Sequence, residues 1–345
     1  MKCVLSPLQN KHYPEGFLVN GLRQKNPETP ERIDILLKGA LAAGLEQVCP
    51  DDYGIGPIAA VHTPEYLEFL QMAYQRWQRI PDAAPEITPN IHPTNRDGVY
   101  PASVIAQAGY HMSDASAPIG AQTWQSAQQS AWSAVHASEL VMAGDDMAYA
   151  LSRPPGHHAG ADIAGGFCYL NNTAIAAENL LKKFKSVAII DVDLHHGNGT
   201  QSIFYQRKDV LTVSIHADPI RFYPFFWGHS AERGQGAGLG YNLNIPLARG
   251  TGDDGFLKAL DKAINRINAF APEALVIALG LDAFEGDPFA GLNVSTEGYG
   301  LIGKAISKQL TCPTVIIQEG GYVCDALANN LTEFLTEFLT AIRSK

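Results

Sequence analysis

The sequence of 345 residues predicts an α/β fold, with one continuous domain over residues 1–345 built around a central, mostly parallel sheet that carries helices on both faces. Two observations lead to this fold class. Short, wholly apolar strand candidates alternate with helical stretches from about residue 147 onward, and such strands are typical of parallel sheets covered on both sides. In addition, 46% of the residues are hydrophobic, and no linker, repeat or low-complexity tract divides the chain.

The part of the chain that precedes the first strand candidate is predicted to contain three helices and one irregular segment. Thr29 and Pro30 precede the apolar-periodic IDILLKGAL and predict a helix start, with Thr29 as N-cap. A second helix is expected after HTPEY, and a third over about 121–143. Between about 80 and 120 the chain is rich in Pro, Asn and Asp, with no clean period. Because long loops in a compact domain commonly line or cover a site, we expect this segment near a functional site.

Five strand candidates follow, separated by helical stretches. Parallel sheets bind ligands beyond the carboxyl ends of their strands, so the residues that follow each strand are the first candidates for a site. The strand candidates are MAYALS, VAIIDVD, LTVSIHA, ALVIALGLD and TVIIQEGGY.

Charge and cysteine content exclude several classes of protein. A formal net charge of −10 argues against nucleic-acid binding, which needs a basic surface, and suits a cationic substrate. The five cysteines show no CxxC spacing, so neither a disulfide framework nor a thiolate zinc site is predicted. The apolar stretch in MKCVLSPLQN is too short for a signal peptide, and no run approaches a membrane span. We therefore expect a cytoplasmic protein that does not contact membranes.

Polar side chains follow four of the predicted strands. While the chain stays extended, Asp191, Asp193 and His195 share one face, because side chains alternate along a strand. The other strands deliver a tandem imidazole pair, a carboxylate and a phenol to the same rim. These residues are His157, His158, Asp282 and Tyr322.

A divalent cation would compensate the burial of so many ionisable groups. Zn²⁺ accepts imidazole nitrogen and carboxylate oxygen, and catalytic zinc sites keep one position open. We therefore predict that Asp193, His195 and Asp282 bind one Zn²⁺ per subunit. An isolated DxH would more often be an ion-paired strand end, and iron or cobalt would also fit these ligands.

Five ordered motifs carry a resemblance to a known family. RPPGHHAG, GGFCYLNN, DVDLHHGNGT, LGLDAFEGDP and QEGGY look like those of the zinc-dependent deacetylases, which include histone deacetylases and acetylpolyamine amidohydrolases. The match is dense from about 150 to 325 and looser before that. It implies an arginase/deacetylase-like fold and hydrolysis of an acyl group from an amine nitrogen.

The resemblance also assigns residue roles. It implies that His158 is the general base, that His157 gives electrostatic support beside Asp191, and that Tyr322 points at the substrate carbonyl. Asn198 stands where many members have an Asp that orients the second histidine. Since Asn supplies no charge, we expect His158 to be the less basic imidazole. The family's potassium site corresponds to Asp191, Asp193, His195 and Ser214.

Arginases, which hold two manganese ions, are the main competitor within this fold. A second metal would require carboxylates two residues after His195 and two after Asp282. Gly197 and Phe284 occupy those positions, so a single metal is predicted.

The substrate is predicted to enter an aromatic tunnel. By resemblance, Phe167, Tyr223 and Phe289 are expected to line it, although each could instead be ordinary core. Glu15 is a further candidate, as a partner for a substrate ammonium. The 80–120 segment resembles the insertion of acetylpolyamine amidohydrolases, which narrows the entrance and supports a homodimer. Its few acidic residues favour acetylputrescine or acetylcadaverine over longer polyamines. They are Asp82, Glu86, Asp97 and Asp114.

Two other functions remain open at this point. A protein or peptide lysine deacylase of the histone deacetylase type would have an open entrance and act as a monomer. A catalytically silent protein that binds acyl ligands would hold zinc and hydrolyse nothing, but Tyr322 and the complete set of metal ligands argue against it.

Overall fold

The computed structural model describes residues 1–344 and contains eight strands in one sheet and two in a separate hairpin. In chain order the strands are β1 (Lys2–Val4), β2 (Gly16–Val19), β3 (Leu22–Lys25), β4 (Glu46–Val48), β5 (Met147–Ala150), β6 (Val187–Asp191), β7 (Val210–Ala217), β8 (Asn242–Leu247), β9 (Ala274–Leu279) and β10 (Thr314–Gln318). The sheet order is β4-β1-β5-β10-β9-β6-β7-β8, and every neighbouring pair is parallel. Strands β2 and β3 form the antiparallel hairpin.

Helices connect the strands and cover the sheet. They are α1 (Glu31–Ala42), α2 (Gly56–Ala59), α3 (Pro64–Trp77), α4 (Val104–His111), α5 (Thr123–Ala143), α6 (Asn172–Leu180), α7 (Asn198–Phe204), α8 (Asp253–Phe270), α9 (Thr296–Gln309) and α10 (Leu327–Arg343).

The two faces of the sheet bury separate cores, which confirms the prediction of helices on both sides. Ile190 and Ile277 pack on one face with side chains of α1, α8, α9 and α10. Ile189 and Val276 pack on the other face with side chains of α3, α4, α5 and α6. Neighbouring residues of one strand enter different cores because side chains alternate across a strand. This two-sided burial is why the strands are apolar throughout.

Three details differ from the sequence expectations. The first helix begins at Glu31, with Pro30 at the N-cap position, and the Thr29 hydroxyl is buried without a hydrogen-bond partner. The segment expected to be irregular contains α4, whose N-cap Ser103 accepts a hydrogen bond from Ile105 N–H. Strands β1, β4 and β8 were not predicted. The first two are only three residues long, and half-buried edge strand β8 alternates polar and apolar residues.

The strand order explains why the candidate site residues can meet. Strands β5, β10, β9 and β6 are consecutive neighbours at the centre of the sheet, and all are parallel. Their carboxyl ends therefore lie side by side on one edge. The segments that follow them carry the tandem histidines, Tyr322, Asp282, and the pair Asp193 and His195.

Candidate active site

The predicted metal ligands meet in one buried cluster. Ligand atoms of Asp193, His195 and Asp282 lie within 4.8 Å of one another. Nδ1 of His195 lies 3.0 Å from Asp282 Oδ2 and 3.3 Å from Asp193 Oδ1. Backbone N–H groups bind the other oxygen of each carboxylate: Leu194 N–H donates to Asp282 Oδ1, and Gly320 N–H donates to Asp193 Oδ2. Two carboxylates and one imidazole are thus fixed around a common point.

The electrostatics of this cluster favour a bound cation. Burial opposes a charge on His195, but its hydrogen bonds to Asp193 and Asp282, together with their negative charge, raise the pKa of the imidazole to about 9. Burial, and then the charge of Asp193, raise the pKa of Asp282. Both shifts favour added positive charge between the two carboxylates. A divalent cation bound there would supply this positive charge.

Glycines allow the backbone to approach the ligands closely. A methyl group on Gly280 would overlap the Asp193 carboxylate, and one on Gly320 would overlap Asp282 Oδ2. Gly197 is also confined, because a methyl group there would overlap Asp191 Oδ2 and lie 3.3 Å from His157 Nδ1. A carboxylate at position 197 would therefore displace Asp191 or His157. The packing around Gly197 thus agrees with the lack of a carboxylate at this position, while the number of bound metal ions stays a prediction.

The tandem histidines lie beside the metal cluster in different electrostatic surroundings. His157 Nδ1 lies 3.0 Å from Asp191 Oδ2. Although burial opposes its charge, Asp193 and Asp191 raise the pKa of His157 to about 10. His158 Nδ1 lies 2.7 Å from Asn198 Oδ1. Burial, followed by the positive charges of His157 and His195, holds the pKa of His158 well below its usual value. His158 is therefore the less basic imidazole. Burial lowers the pKa of both imidazoles, so the difference comes from the carboxylates beside His157 and from the positive charges beside His158.

The aromatic side chains form a cavity that ends at these groups. Its volume is about 330 Å³. Phe167, Tyr223 and Phe289 line it as expected, and Tyr322 lies in the wall beside the imidazoles. The Tyr322 ring centroid is 4.8 Å from that of Phe289 and 5.9 Å from that of Phe167. Burial raises the pKa of Tyr322 well above its usual value, so the phenol keeps its proton.

Comparison with known proteins gives the family. The profile of the histone deacetylase domain matches residues 26–338. The chain belongs to the histone deacetylase family. It is 45% identical over 339 residues to an acetylpolyamine amidohydrolase of Burkholderia pseudomallei, covering 98% of each chain. It is 42% identical over 347 residues to acetylpolyamine amidohydrolase 1 of Pseudomonas aeruginosa, covering 99% of this chain and 100% of the relative.

A solved structure agrees with this family assignment. The crystal structure of an acetylpolyamine aminohydrolase from Burkholderia pseudomallei superposes with a TM-score of 0.96 at 45% identity, covering 99% of each chain. The predicted family, its fold and its class of hydrolytic deacetylases are therefore confirmed.

Most of the site residues predicted for this deacetylase line the cavity or form a hydrogen bond with a residue that does, but Glu15 and Ser214 do neither. Glu15 is not among the lining residues. Its side chain is 59% exposed and lies 3.7 Å from Arg23, so the proposed ammonium contact lacks a geometric basis. Ser214 pairs in register with Asp191 on the neighbouring strand, and its hydroxyl lies 2.8 Å from His216 Nδ1. It is close to Asp191 as expected, while the potassium site itself stays a prediction.

Sequence reasoning missed three residues of the deacetylase site. Buried Glu319 accepts hydrogen bonds from the N–H groups of Gly156 and His157, and burial raises its pKa to about 7. Asp287 accepts hydrogen bonds from the N–H groups of Phe289 and Tyr322, so it fixes two walls of the cavity. Phe17, on β2, lines the cavity with its ring centroid 5.5 Å from that of Phe167.

Proposed function

We propose that this protein is a zinc-dependent amidohydrolase that removes acetyl groups from small acetylated polyamines or diamines. One observation carries the proposal. A buried cluster of metal-type ligands lies at the inner end of an aromatic cavity, beside two imidazoles of unequal basicity and a protonated phenol. The names of the relatives above point to the same substrate class.

The donor set fits zinc. Asp193, His195 and Asp282 would hold one Zn²⁺ per subunit through two carboxylates and an imidazole, leaving a position open for water or substrate. When bound, the ion would polarise the acetyl carbonyl and increase the acidity of the attacking water.

His158 is proposed as the general base. The amide oxygen of Asn198 can only accept a hydrogen bond, so His158 Nδ1 carries the hydrogen. This leaves the lone pair on Nε2. Because the pKa of His158 lies well below its usual value, the imidazole is neutral and can take a proton. Water oxygen bonds to the carbonyl carbon as its proton moves to His158. The same proton then goes to the departing nitrogen as the C–N bond breaks, which yields acetic acid and a free amine; the acid then gives up its remaining proton and leaves as acetate.

His157 and Tyr322 are proposed to support charge during this reaction. His157 donates from Nδ1 to Asp191 and retains a positive charge beside the reacting groups. Tyr322 lines the cavity, and its hydroxyl is proposed to donate a hydrogen bond to the oxygen of the tetrahedral intermediate.

Tyr322→Phe tests the role of the phenol. It removes one hydrogen-bond donor and keeps the ring that packs against Phe289. We expect kcat to fall by about 10²- to 10³-fold, the usual effect of losing one oxyanion donor, with zinc content unchanged. Steady-state kinetics and metal analysis measure the two quantities. A variant with wild-type kcat would remove Tyr322 from the mechanism.

The cavity wall favours a short amine. Among the residues described, Asp193 is the only carboxylate that lines the cavity, and it is a proposed metal ligand. A methylene chain can pack between the aromatic rings, but a second internal ammonium would meet no negative side chain in the wall. Acetylputrescine and acetylcadaverine place their single ammonium at the far end of the chain. The formal net charge of −10 also attracts cations.

A substrate comparison on zinc-loaded protein tests this preference. We expect kcat/KM for acetylputrescine and acetylcadaverine to exceed that for acetylspermine and for an acetyl-lysine peptide by roughly 10-fold or more. A His158→Ala sample, prepared identically, controls for contaminating hydrolases. A clear peptide preference would favour the lysine deacylase instead. Failure to hydrolyse any acetylated amine would favour a silent binding protein.

We further propose that the enzyme is a cytoplasmic homodimer that binds neither nucleic acid nor membranes. Ile91 and Val99 in the 80–120 segment are 59% and 98% exposed, which supports contact between subunits there. Among residues 1–344, none of the helices has the length and apolar character needed to span a bilayer. A potassium ion beside Asp191 and Ser214 is a further part of this proposal, drawn from the family resemblance.

A further inference from the structure

We propose that Asp114 is a positioning residue that joins two walls of the substrate tunnel, and that it sets the affinity for the amine chain without touching it. The inference rests on the proposed function and concerns how the same site holds its substrate. Asp114 lies in the 80–120 segment and is not itself among the residues that line the cavity.

The Asp114 carboxylate connects three segments that are distant in sequence. Oδ2 accepts a hydrogen bond of 2.7 Å from the Tyr223 hydroxyl and one of 3.2 Å from Gly166 N–H. Oδ1 accepts a 2.8 Å hydrogen bond from Ser116 N–H. Tyr223, Gly166 and Ser116 all line the cavity. One carboxylate behind the wall therefore binds three groups that form it.

The part of the wall that contains Gly166 is a tight turn, which a hydrogen bond to Asp114 stabilises. Gly165 and Cys168 exchange two backbone hydrogen bonds, and the residues between them, Gly166 and Phe167, have φ values of 52° and 68°. Positive φ at both central positions defines a type I′ turn, which a bulky residue such as Phe167 adopts reluctantly. Asp114 holds the N–H at the first central position. The direction of the Phe167 ring into the tunnel thus depends on this contact.

Close packing couples the turn to Tyr223 and to the proposed base. A methyl group on Gly166 would overlap the His158 imidazole and lie 2.9 Å from the Tyr223 hydroxyl. The Tyr223 ring stands perpendicular to that of His158, with the centroids 4.9 Å apart. Without Asp114, the half-buried Tyr223 hydroxyl would lose this acceptor. The ring could then rotate and change the width of the tunnel.

The surroundings of Asp114 argue against direct binding of a substrate ammonium. Within residues 1–344, no Lys or Arg forms an ion pair with it, so hydrogen bonds from the wall compensate its charge. Both oxygens are directed at wall groups. Asp114 should therefore affect charged and neutral ligands of the same shape equally.

Two ligands of matched shape separate positioning from charge recognition. Acetylputrescine carries an ammonium, whereas N-pentylacetamide replaces it with a methyl group. We expect Asp114→Ala to raise KM for acetylputrescine by roughly 10-fold or more, and to raise the Kd of N-pentylacetamide by the same factor. We expect kcat to change by less than about 3-fold, because the groups that react are retained. Kinetics and calorimetry on zinc-loaded protein provide these values.

Three further variants complete the experiment. Asp114→Asn keeps an acceptor oxygen and should recover most of the affinity, which also guards against a folding defect in Asp114→Ala. Tyr223→Phe should raise KM in the wild type but add little in Asp114→Ala, because both changes remove the same contact. Asp97→Ala, an exposed aspartate of the same segment, should match the wild type.

The outcomes that overturn the inference are distinct from failure of the proposed function. A loss confined to acetylputrescine would indicate direct ammonium recognition. Additive effects of Asp114→Ala and Tyr223→Phe, or an Asp114→Ala variant that behaves like Asp97→Ala, would remove the positioning role. If the wild type itself hydrolyses no acetylputrescine, the proposed function fails, while calorimetry with N-pentylacetamide still measures the effect of Asp114 on the tunnel.

Discussion

His158→Ala is expected to lower kcat by about 10²- to 10⁴-fold, the usual contribution of general acid-base catalysis, while zinc remains bound. This result is expected because of the position and the protonation state of His158. The imidazole lies beside the metal cluster, is neutral, and has Nδ1 engaged with Asn198, so Nε2 is the atom available to accept a proton. None of the three proposed metal ligands forms a hydrogen bond with it. Steady-state kinetics together with elemental analysis of the purified variant measure both parts of the prediction.

A second histidine variant shows whether the loss is specific. His136, on α5, forms hydrogen bonds with Tyr53 and Asp51 and does not line the cavity. His136→Ala should keep the wild-type kcat. Loss of zinc from His158→Ala would contradict the assigned role, because it would place His158 among the ligands. A variant with full zinc and near-wild-type kcat would require another base.

The central part of the fold could be predicted because its strands are buried on both faces. Such strands appear in the sequence as apolar runs, of which VAIID and ALVIAL are the clearest, and each is followed by polar residues at the functional edge. The sheet margin could not be predicted in this way. Strand β4 reads EQV, and β1 contributes only KCV, which is too short for a periodic signal. These strands are recognisable only through their pairing with neighbours.

The site residues also differ in whether the sequence can predict them. The strand-end rule identifies the residues that lie within four positions after a buried strand, which are Asp193, His195, Asp282 and Tyr322. Glu319 also follows β10 directly, and the same rule would have found it. Phe17 could not be found from local pattern, because it reaches the cavity from a hairpin 150 residues before Phe167. The contacts of Asp114 are likewise a product of tertiary packing.

Removal of Asp282 is expected to have the largest effect, because it should deplete the metal and with it the activity. Asp282 supplies one of two carboxylates around the common point, and no other side chain in the described cluster can replace it. Without it, zinc affinity should fall by more than the roughly 10- to 100-fold that follows loss of an outer partner of a metal ligand. Elemental analysis after dialysis against a weak chelator measures the zinc content of Asp282→Ala and wild type.

The choice of substitution separates metal loss from misfolding. Asp282 Oδ1 also accepts the Leu194 N–H, so Asp282→Ala leaves a buried donor without its acceptor, which destabilises the fold by about 1–3 kcal/mol. Asp282→Asn can keep that hydrogen bond while removing the charge that attracts the ion. Added zinc should raise the Tm of metal-free wild type through its binding free energy, but should leave the Tm of Asp282→Asn nearly unchanged. Asp261→Ala, an exposed change on α8, should respond to zinc as the wild type does. Full zinc occupancy in both Asp282 variants would refute the ligand assignment, since two independent substitutions would then have left the ion in place.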